Sequence, residues 1–498
     1  MDKKKRLSVY HTDTIQAWEK AWFGANNSSF GLMQQAAFLL SRRIEVYLSH
    51  HCPKKPCIQI WCGEGNNAGD GYLLAAYLKQ RDFDVHIYAP QPPITIDAKK
   101  ARLYAENQDI SMSSEQVLSH ADVHIDALFG IGLNRPLDVH AKQIITQFNQ
   151  ESGLKIAVDI PSGLHPNTGV PLPVAVRADI TFTFIGLKLG LVIGQAQYYT
   201  GQYELIELLP ESPNLHATAY LQQEVPQLPK RLNHQHKGSF GHVLVIGGHP
   251  QMGGAVMMSA EAAMHSGSGK VTVLCDAKHH MAILARSPNI MTKDIQQTDY
   301  ADLSRFLKDI DTICFGMGLG RDAWGEQNYH MVINALKNMP KLKTVVWDAD
   351  ALWFLANHPN DLDIQPDWIF TPHSGEAARL LDCTVFEIEQ NRINAITALQ
   401  KKYGGQWVLK GAGSLTLEAQ YLSICALGNA GMGTAGMGDV LAGMIASLKG
   451  QFQDDIMLAD IVALHAKAGD ELALLGERGL QAHEMSQKIY ELVNYFPS

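Results

Sequence analysis

The feature that most constrains this chain is an alternation that occurs twice along its length. Short β-rich runs, Cys57–Trp61, Asp84–Tyr88, Val123–Asp126, Ile156–Asp159 and Ile180–Phe184, are separated by segments long enough to be helices. That pattern predicts a parallel sheet covered by helices on both faces. Ahead of it, residues 14–50 read as helical, with Trp18, Trp22, Met33, Phe38 and Leu40 giving apolar faces and Gly31 as the interruption. Between 209 and 236 the alternation lapses around Pro210, Pro213, Pro226 and Pro229, as an interdomain connector does. A second series follows: His242–Ile246, Lys270–Leu274, Thr312–Phe315, Thr344–Trp347 and Gln406–Leu409. The expectation is therefore two α/β domains, 1–215 and 216–498, with ligands at the carboxyl ends of the strands.

Length supports this division, because 498 residues exceed what one hydrophobic core usually organises. The balance of 41 Lys and Arg against 50 Asp and Glu, a formal charge of −9, argues against a nucleic-acid partner held by general electrostatics. No uncharged apolar stretch reaches the roughly eighteen residues of a membrane span. The basic start, Met1–Arg6, runs into Tyr10-His11-Thr12-Asp13 and not into an apolar segment, so it does not read as a secretory signal. The seven cysteines are few and odd in number, which points to reduced thiols and a cytoplasmic protein. Cys52, Cys57 and Cys62 lie near His50 and His51, but no second pair at zinc-ligand spacing follows, and ordinary thiols are expected there.

In the first half, Gly63-Glu64-Gly65-Asn66-Asn67-Ala68-Gly69-Asp70-Gly71 joins a strand to an apolar helix, which places free N–H groups where a phosphate can bind. It matches the dinucleotide-binding pattern through Gly63, Gly65 and Ala68. The ribose-binding acid of conventional dehydrogenases is missing, however, since Tyr88 is followed by Ala89 and Pro90. Two further strands end in carboxylates, Asp126 before Ala127–Gly132 and Asp159 before Ile160-Pro161-Ser162-Gly163. Together with Asn67 they gather oxygen donors on one edge, suited to a hard cation or to acid–base work beside a phosphate ester.

In the second half, glycine-bearing strand ends recur: Gly247-Gly248 with Gly253-Gly254-Ala255, Gly316–Gly320, Thr371–Glu376, Lys410–Ser414, and Asn429–Gly443. The last puts small residues at a helix start with Asp439 in the first turn, an arrangement that can hold phosphoryl oxygens while a carboxylate accepts a hydroxyl proton. Phosphoryl transfer asks mainly for positioning and charge stabilisation.

Taken together, these motifs resemble the bifunctional NAD(P)H-hydrate repair enzymes. Residues 10–210 resemble the epimerase domain through Asn66–Gly71, Asp126–Leu133, Val158–Leu164 and Gly186–Gly190. Residues 230–490 resemble the ribokinase-like dehydratase domain, including His236–His242 and Asp348–Leu352. The resemblance implies a Rossmann-like three-layer domain followed by a ribokinase-like one. Asn66, Asn67, Ala68, Gly69 and Asp70, with Gly130, Ile131, Gly132, Leu133, Asn134, Arg135 and Pro136, would bind hydrated NADH or NADPH. Asn67, Asp126 and Ser162 would hold a potassium ion, while Asp159 would contact the substrate and move protons, with Lys188 a second candidate. Ala255, Gly318, His373 and Asp439 would contact the hydrate in the second domain. Lys410, Gly411, Ala412, Gly413, Ser414 and Gly438 would bind ADP or ATP, which would come with magnesium, and Asp439 would be the base. Family members commonly self-associate, so the resemblance leaves room for a homo-oligomer, while the sequence itself does not set the oligomeric state. Ala68 stands where glycine is usual, Trp353 where asparagine is, and Ser374 and Ala430 where proline is common. Two rival readings are a ribokinase-class kinase whose product is a stable phosphate ester, and a catalytically silent dinucleotide- or protein-binding first domain.

Overall fold

The two alternating series become two parallel sheets in separate units of the computed structural model, which describes all residues except 1–5, 53, 119, 134, 211–214, 338–343, 360–362 and 495–498. One unit is Ser8–Ala219, and the other combines Met1–Leu7 with Tyr220–Ser498. In the first unit the strand order is Ser111–Ser113, Asp84–Tyr88, Cys57–Cys62, Val123–Ala127, Leu154–Val158, Ile180–Phe184 and Gln202–Ile206. Every pairing along it is parallel. The chain first steps outward from Cys57–Cys62 in one direction, then continues from Val123–Ala127 in the other. The loops leaving those two adjacent strands therefore diverge, and a crevice opens between them.

Val123–Ala127 and Ile180–Phe184 are buried along their whole length, as strands covered on both faces must be. The helix Asn66–Lys79 is buried on nearly every side, which explains why its sequence shows no polar face. The segment read as one interrupted helix is two, Thr12–Gly24 and Ser29–His51. The break lies at Ala25–Ser28 and not at Gly31. Asn26 takes a left-handed φ of 62°, and Ser28 caps the second helix by accepting from the Gly31 N–H at 3.0 Å.

In the second unit the parallel order is Met291–Asp294, Lys270–Cys275, His242–Gly247, Thr312–Met317, Thr344–Trp347, Ile369–Phe370 and Gln406–Leu409, and the antiparallel strands Leu415–Glu418 and Tyr421–Cys425 extend it. The order reverses between His242–Gly247 and Thr312–Met317, which creates a second crevice. The proline-rich stretch read as connector also contains a strand: Tyr220–Gln222 pairs in parallel with Ser423–Cys425. Helices Gly253–His265 and Met437–Phe452 pack on each other, and Ser259 Oγ donates to the Asp439 carbonyl at 2.7 Å. All seven cysteines are unpaired. No described helix is long and apolar enough to cross a membrane.

Candidate active sites

The crevice of the first unit is a cavity of about 640 Å³. The helix Asn66–Lys79 opens onto it from Gly65, which supplies no side-chain cap, so the Asn66 and Asn67 N–H groups are available to an anionic ligand, the Ala68 N–H being taken by the Gly65 carbonyl. Asn66, Asn67 and Asp70 line the cavity, as do Gly130, Ile131, Gly132, Leu133 and Arg135 from the loop after Val123–Ala127. Ala68 and Gly69 are instead buried behind the turn. Pro136 is not part of the lining, and Asn134 falls outside the described residues.

Asn67 and Ser162 converge on the Phe129 backbone. Asn67 Nδ2 donates to the Phe129 carbonyl at 2.9 Å, and the Phe129 N–H donates to Ser162 Oγ at 2.8 Å. Ser162 in turn donates to Asp126 through its hydroxyl (2.6 Å) and its N–H (2.7 Å). Asp126 is fully buried. Burial pushes its carboxyl up to about 6, against the pull of the Ser162 hydroxyl and N–H and the Leu128 N–H. Asn67 Oδ1 is buried without a hydrogen-bond partner. An unpartnered oxygen beside a carboxylate, a hydroxyl and a carbonyl is a donor set that fits a hard cation.

Asp159 occupies a different wall. Its backbone is left-handed (φ 67°), which turns the chain out of the strand. Its Oδ1 accepts from Lys188 Nζ, from the Phe184 N–H at 3.1 Å and from Thr183 Oγ1 at 3.3 Å. Lys188 is 1 % exposed and also donates to Thr183 Oγ1 (2.9 Å) and the Phe184 carbonyl (2.8 Å). Sheet pairing of Tyr10 with Lys188 fixes the lysine from the other side. Four more carboxylates line the cavity, Glu19, Glu64, Asp70 and Asp97. Burial lifts Asp70 well above the carboxylate range, with Asp159 and Glu19 adding to the effect and Lys188 opposing it. Burial likewise raises Glu19, helped by Asp159 and opposed by Lys188. The sequence reading missed Glu19. The available signal was its place four residues after Ile15 and next to Trp18, both buried, on the inward stripe of Thr12–Gly24.

In the second unit Asp439 lies in the first turn of Met437–Phe452, whose N-terminus at Gly436 (φ 95°) also has no side-chain cap. Lys410 arrives from the end of Gln406–Leu409 and donates to Asp348 Oδ1 at 2.7 Å, with Glu376 Oε2 at 3.9 Å. A β-carbon at Gly438 would lie 3.0 Å from Lys410 Nζ, so the glycine gives the lysine head group room beside the helix start. Burial and the Asp348 charge push the Asp439 carboxyl up to about 7, with Lys410 opposing. Burial pushes Glu376 up to about 7 as well, again against Lys410. Burial acts to lower Lys410, yet Asp348, Glu376 and Asp439 together carry it upward.

Ala255 and Gly318 meet at the second crevice: a β-carbon on Gly318 would lie 3.3 Å from the Ala255 β-carbon. His373 caps Ser374–Leu381, its Nδ1 accepting from the Gly375 N–H at 2.9 Å, while its own N–H donates to Glu376 Oε2. The Lys410–Ser414 turn closes on itself, Ser414 Oγ donating to the Gly411 carbonyl at 2.8 Å and accepting from its N–H at 3.2 Å. Gly411 and Ala412 are exposed, whereas Gly413 is buried.

Arg392, absent from the sequence reading, ties these loops together. It is 2 % exposed and donates to the Leu409 and Lys410 carbonyls, to Glu389 and to Ser374 Oγ. Ser374 also donates to Glu389, which gives the residue in the usual proline position a bonded role. Asp350 accepts from the Gly320 N–H and Arg321.

Residues 243–491 match the family model described as NAD(P)H-hydrate dehydratase, and 29–190 that of the YjeF-related protein N-terminus. The chain is 36 % identical over 456 residues to the bifunctional NAD(P)H-hydrate repair enzyme Nnr of Coxiella burnetii, covering 89 % of this chain and 91 % of the relative. It is 37 % identical over 447 residues to the enzyme of the same name from Vibrio cholerae, covering 86 % of each. A ribokinase-like superfamily protein from Enterococcus faecalis aligns in structure with a TM-score of 0.49 at 30 % identity, over 55 % of this chain and 95 % of that one.

Proposed function

This chain belongs to the bifunctional NAD(P)H-hydrate repair enzymes, and we propose that its first unit interconverts the R and S hydrates of NADH and NADPH while its second unit dehydrates the S form. The observation that carries the reading is the convergence of Asp439, Lys410 and Asp348 from separate strand ends beside an uncapped helix N-terminus. That arrangement supplies a base and an anion hole, as phosphoryl transfer to a ring hydroxyl requires. Asp439 takes the proton of the hydroxyl on C6 of the nicotinamide ring as its oxygen attacks the terminal phosphoryl group of ADP or ATP. With ADP, the bond to the β-phosphorus breaks and AMP leaves. Loss of phosphate from C6 and of a proton from C5 then restores the ring double bond.

In the first unit the hydrate's phosphates face the open start of Asn66–Lys79, and Asp159 with Lys188 faces the ring. Asn67, Asp126 and Ser162 would hold potassium, which would supply fixed positive charge near the substrate phosphates. Magnesium would enter with the nucleotide. Lys410 is engaged by Asp348, and Asp350 by Arg321 and the Gly320 N–H, which suits a cation held mainly by phosphate oxygens.

The test is recovery of reduced-nicotinamide absorbance from mixed-epimer NADH hydrate with potassium and magnesium, comparing ADP, ATP and no nucleotide, in wild type and Asp439→Asn. Complete conversion that needs both nucleotide and Asp439 is expected. Conversion that stops near half would remove the epimerase assignment, and no conversion with either nucleotide would favour a kinase of another small molecule.

A further inference from the structure

Among the charged side chains lining the first cavity, Glu19, Glu64, Asp70, Asp97, Arg135, Asp159 and Lys188, the carboxylates divide by what engages them. Asp159 is engaged at Oδ1 by Lys188, the Phe184 N–H and the Thr183 hydroxyl. Glu19 has no hydrogen bond or ion pair among the described residues, yet it is half-buried and faces the cavity. Its placement follows from the helix period. Ile15, Glu19 and Phe23, each four residues apart on Thr12–Gly24, all line the cavity, so the helix lays one stripe against the ligand space. Burial favours the neutral form of Glu19, Asp159 adds to the effect and Lys188 opposes it, while Asp70, itself raised by burial and by the Asp159 and Glu19 charges, approaches from the start of Asn66–Lys79.

The chemistry of the substrate asks for two such groups. The stereocentre to be inverted is a ring carbon bearing both a hydroxyl and a nitrogen, so it can lose water and regain it on the opposite face. We propose that Glu19 is the general acid that protonates the departing C6 hydroxyl, with Asp159 as the base that receives a proton from the water returning to C6. The C6–O bond breaks and its electron pair leaves with oxygen as water, while the ring nitrogen's lone pair forms a double bond to C6. A new C6–O bond then forms on the other face, and Asp159 takes the proton released. One water leaves and one enters, and transfer of the proton from Asp159 back to Glu19 through solvent resets the site without any further reactant. One carboxyl group free of protein partners and a second held by a lysine are the two environments that this division of labour needs.

This inference rests on the epimerase reading. It is tested with the full-length protein and purified R-hydrate of NADH, following the R-to-S ratio across pH for wild type, Glu19→Gln and Glu19→Asp, with nucleotide-dependent dehydration of the S-hydrate as the control for folding. A group used only in the transition state lowers kcat without moving KM. Glu19→Gln is expected to lower kcat for epimerisation on the order of 10²-fold, to leave KM within about twofold, and to remove the alkaline fall in rate, while dehydration is unchanged. Glu19→Asp, which keeps an acid, recovers part of the rate and the alkaline limb. A loss under about threefold in Glu19→Gln with the alkaline limb intact, or Glu19→Asp behaving like Glu19→Gln, would overturn the assignment. A wild-type protein that does not interconvert the epimers would overturn the epimerase reading itself, whatever the variants do.

Discussion

Both sites place an aspartate near a lysine at a strand end, but they connect the two differently. In the first unit Lys188 donates directly to Asp159. In the second, Lys410 is taken up by Asp348, and no hydrogen bond or ion pair among the described residues engages the Asp439 carboxylate. A directly paired lysine gives a carboxylate a fixed donor of opposite charge. A diverted one leaves its neighbour governed by burial and by the Asp348 charge, which is why Asp439 is pushed up to about 7. A base poised near neutrality can both accept a proton and release it within one turnover, as hydroxyl activation demands.

The largest expected effect comes from removing the two bases separately. Asp439→Asn is expected to lower dehydration of the S-hydrate about 10³–10⁴-fold and to leave epimerisation alone, while Asp159→Asn lowers epimerisation about 10²-fold and spares dehydration. Steady-state rates with single epimers check both. A variant that damages both activities equally would break the comparison.

Next in size is stability. Lys188→Met strands Asp159, and Lys410→Met strands Asp348, which is 2 % exposed where Asp159 is 13 %. Leaving a buried charge unpaired typically costs about 3–5 kcal/mol, so Lys410→Met is expected near the upper end and Lys188→Met near the lower in denaturant unfolding. The reverse order would mean that Asp348 is not held by its lysine.

Smaller again is a shift in pH dependence. Dehydration requires ionised Asp439, so its rate should rise with pH through about 7. Asp348→Asn removes a negative charge that raises Asp439 and releases Lys410 toward it. Both changes favour the ionised form, so the rise should move to lower pH. A profile that stays in place would mean that Asp348 does not set the base.

These relations were legible in the sequence to different depths. Strand ends were readable, because glycines and carboxylates directly follow β-rich runs, and Asp126 and Ser162 do meet. The partner of each lysine was not. Asp348 lies 62 residues from Lys410, and only the sheet order brings them together. Glu19 sits on a helix before the first strand of its sheet, so no strand-end signal marks it. Arg392 was hidden for a similar reason, since its partners are backbone carbonyls at the far end of Gln406–Leu409. The helix break at Ala25–Ser28 was misplaced to Gly31 because glycine is the stronger breaker in general. Here Gly31 serves the first turn of a helix that Ser28 caps.

The smallest expected effect tests why both ligand-facing helices start without a side-chain cap. Gly65 has φ −93°, and a β-carbon there meets nothing within 4 Å, so the backbone already accepts other residues. Gly65→Asp adds an N-cap, which relative to glycine is worth a few tenths of a kcal/mol, and it places a negative charge where the hydrate's phosphates are proposed to bind. A slightly higher melting temperature with a KM for the hydrate raised about tenfold is the expected pair of changes. The same substitution at Gly436 has no such compensation: its φ of 95° is left-handed, and a β-carbon there would fall 2.6 Å from Met258 Sδ. Gly436→Asp is therefore expected to lower stability, by about 1–3 kcal/mol for the backbone strain alone. If Gly65→Asp stabilises without weakening hydrate binding, the open helix start in the first unit is not a phosphate site, and the parallel between the two crevices ends there.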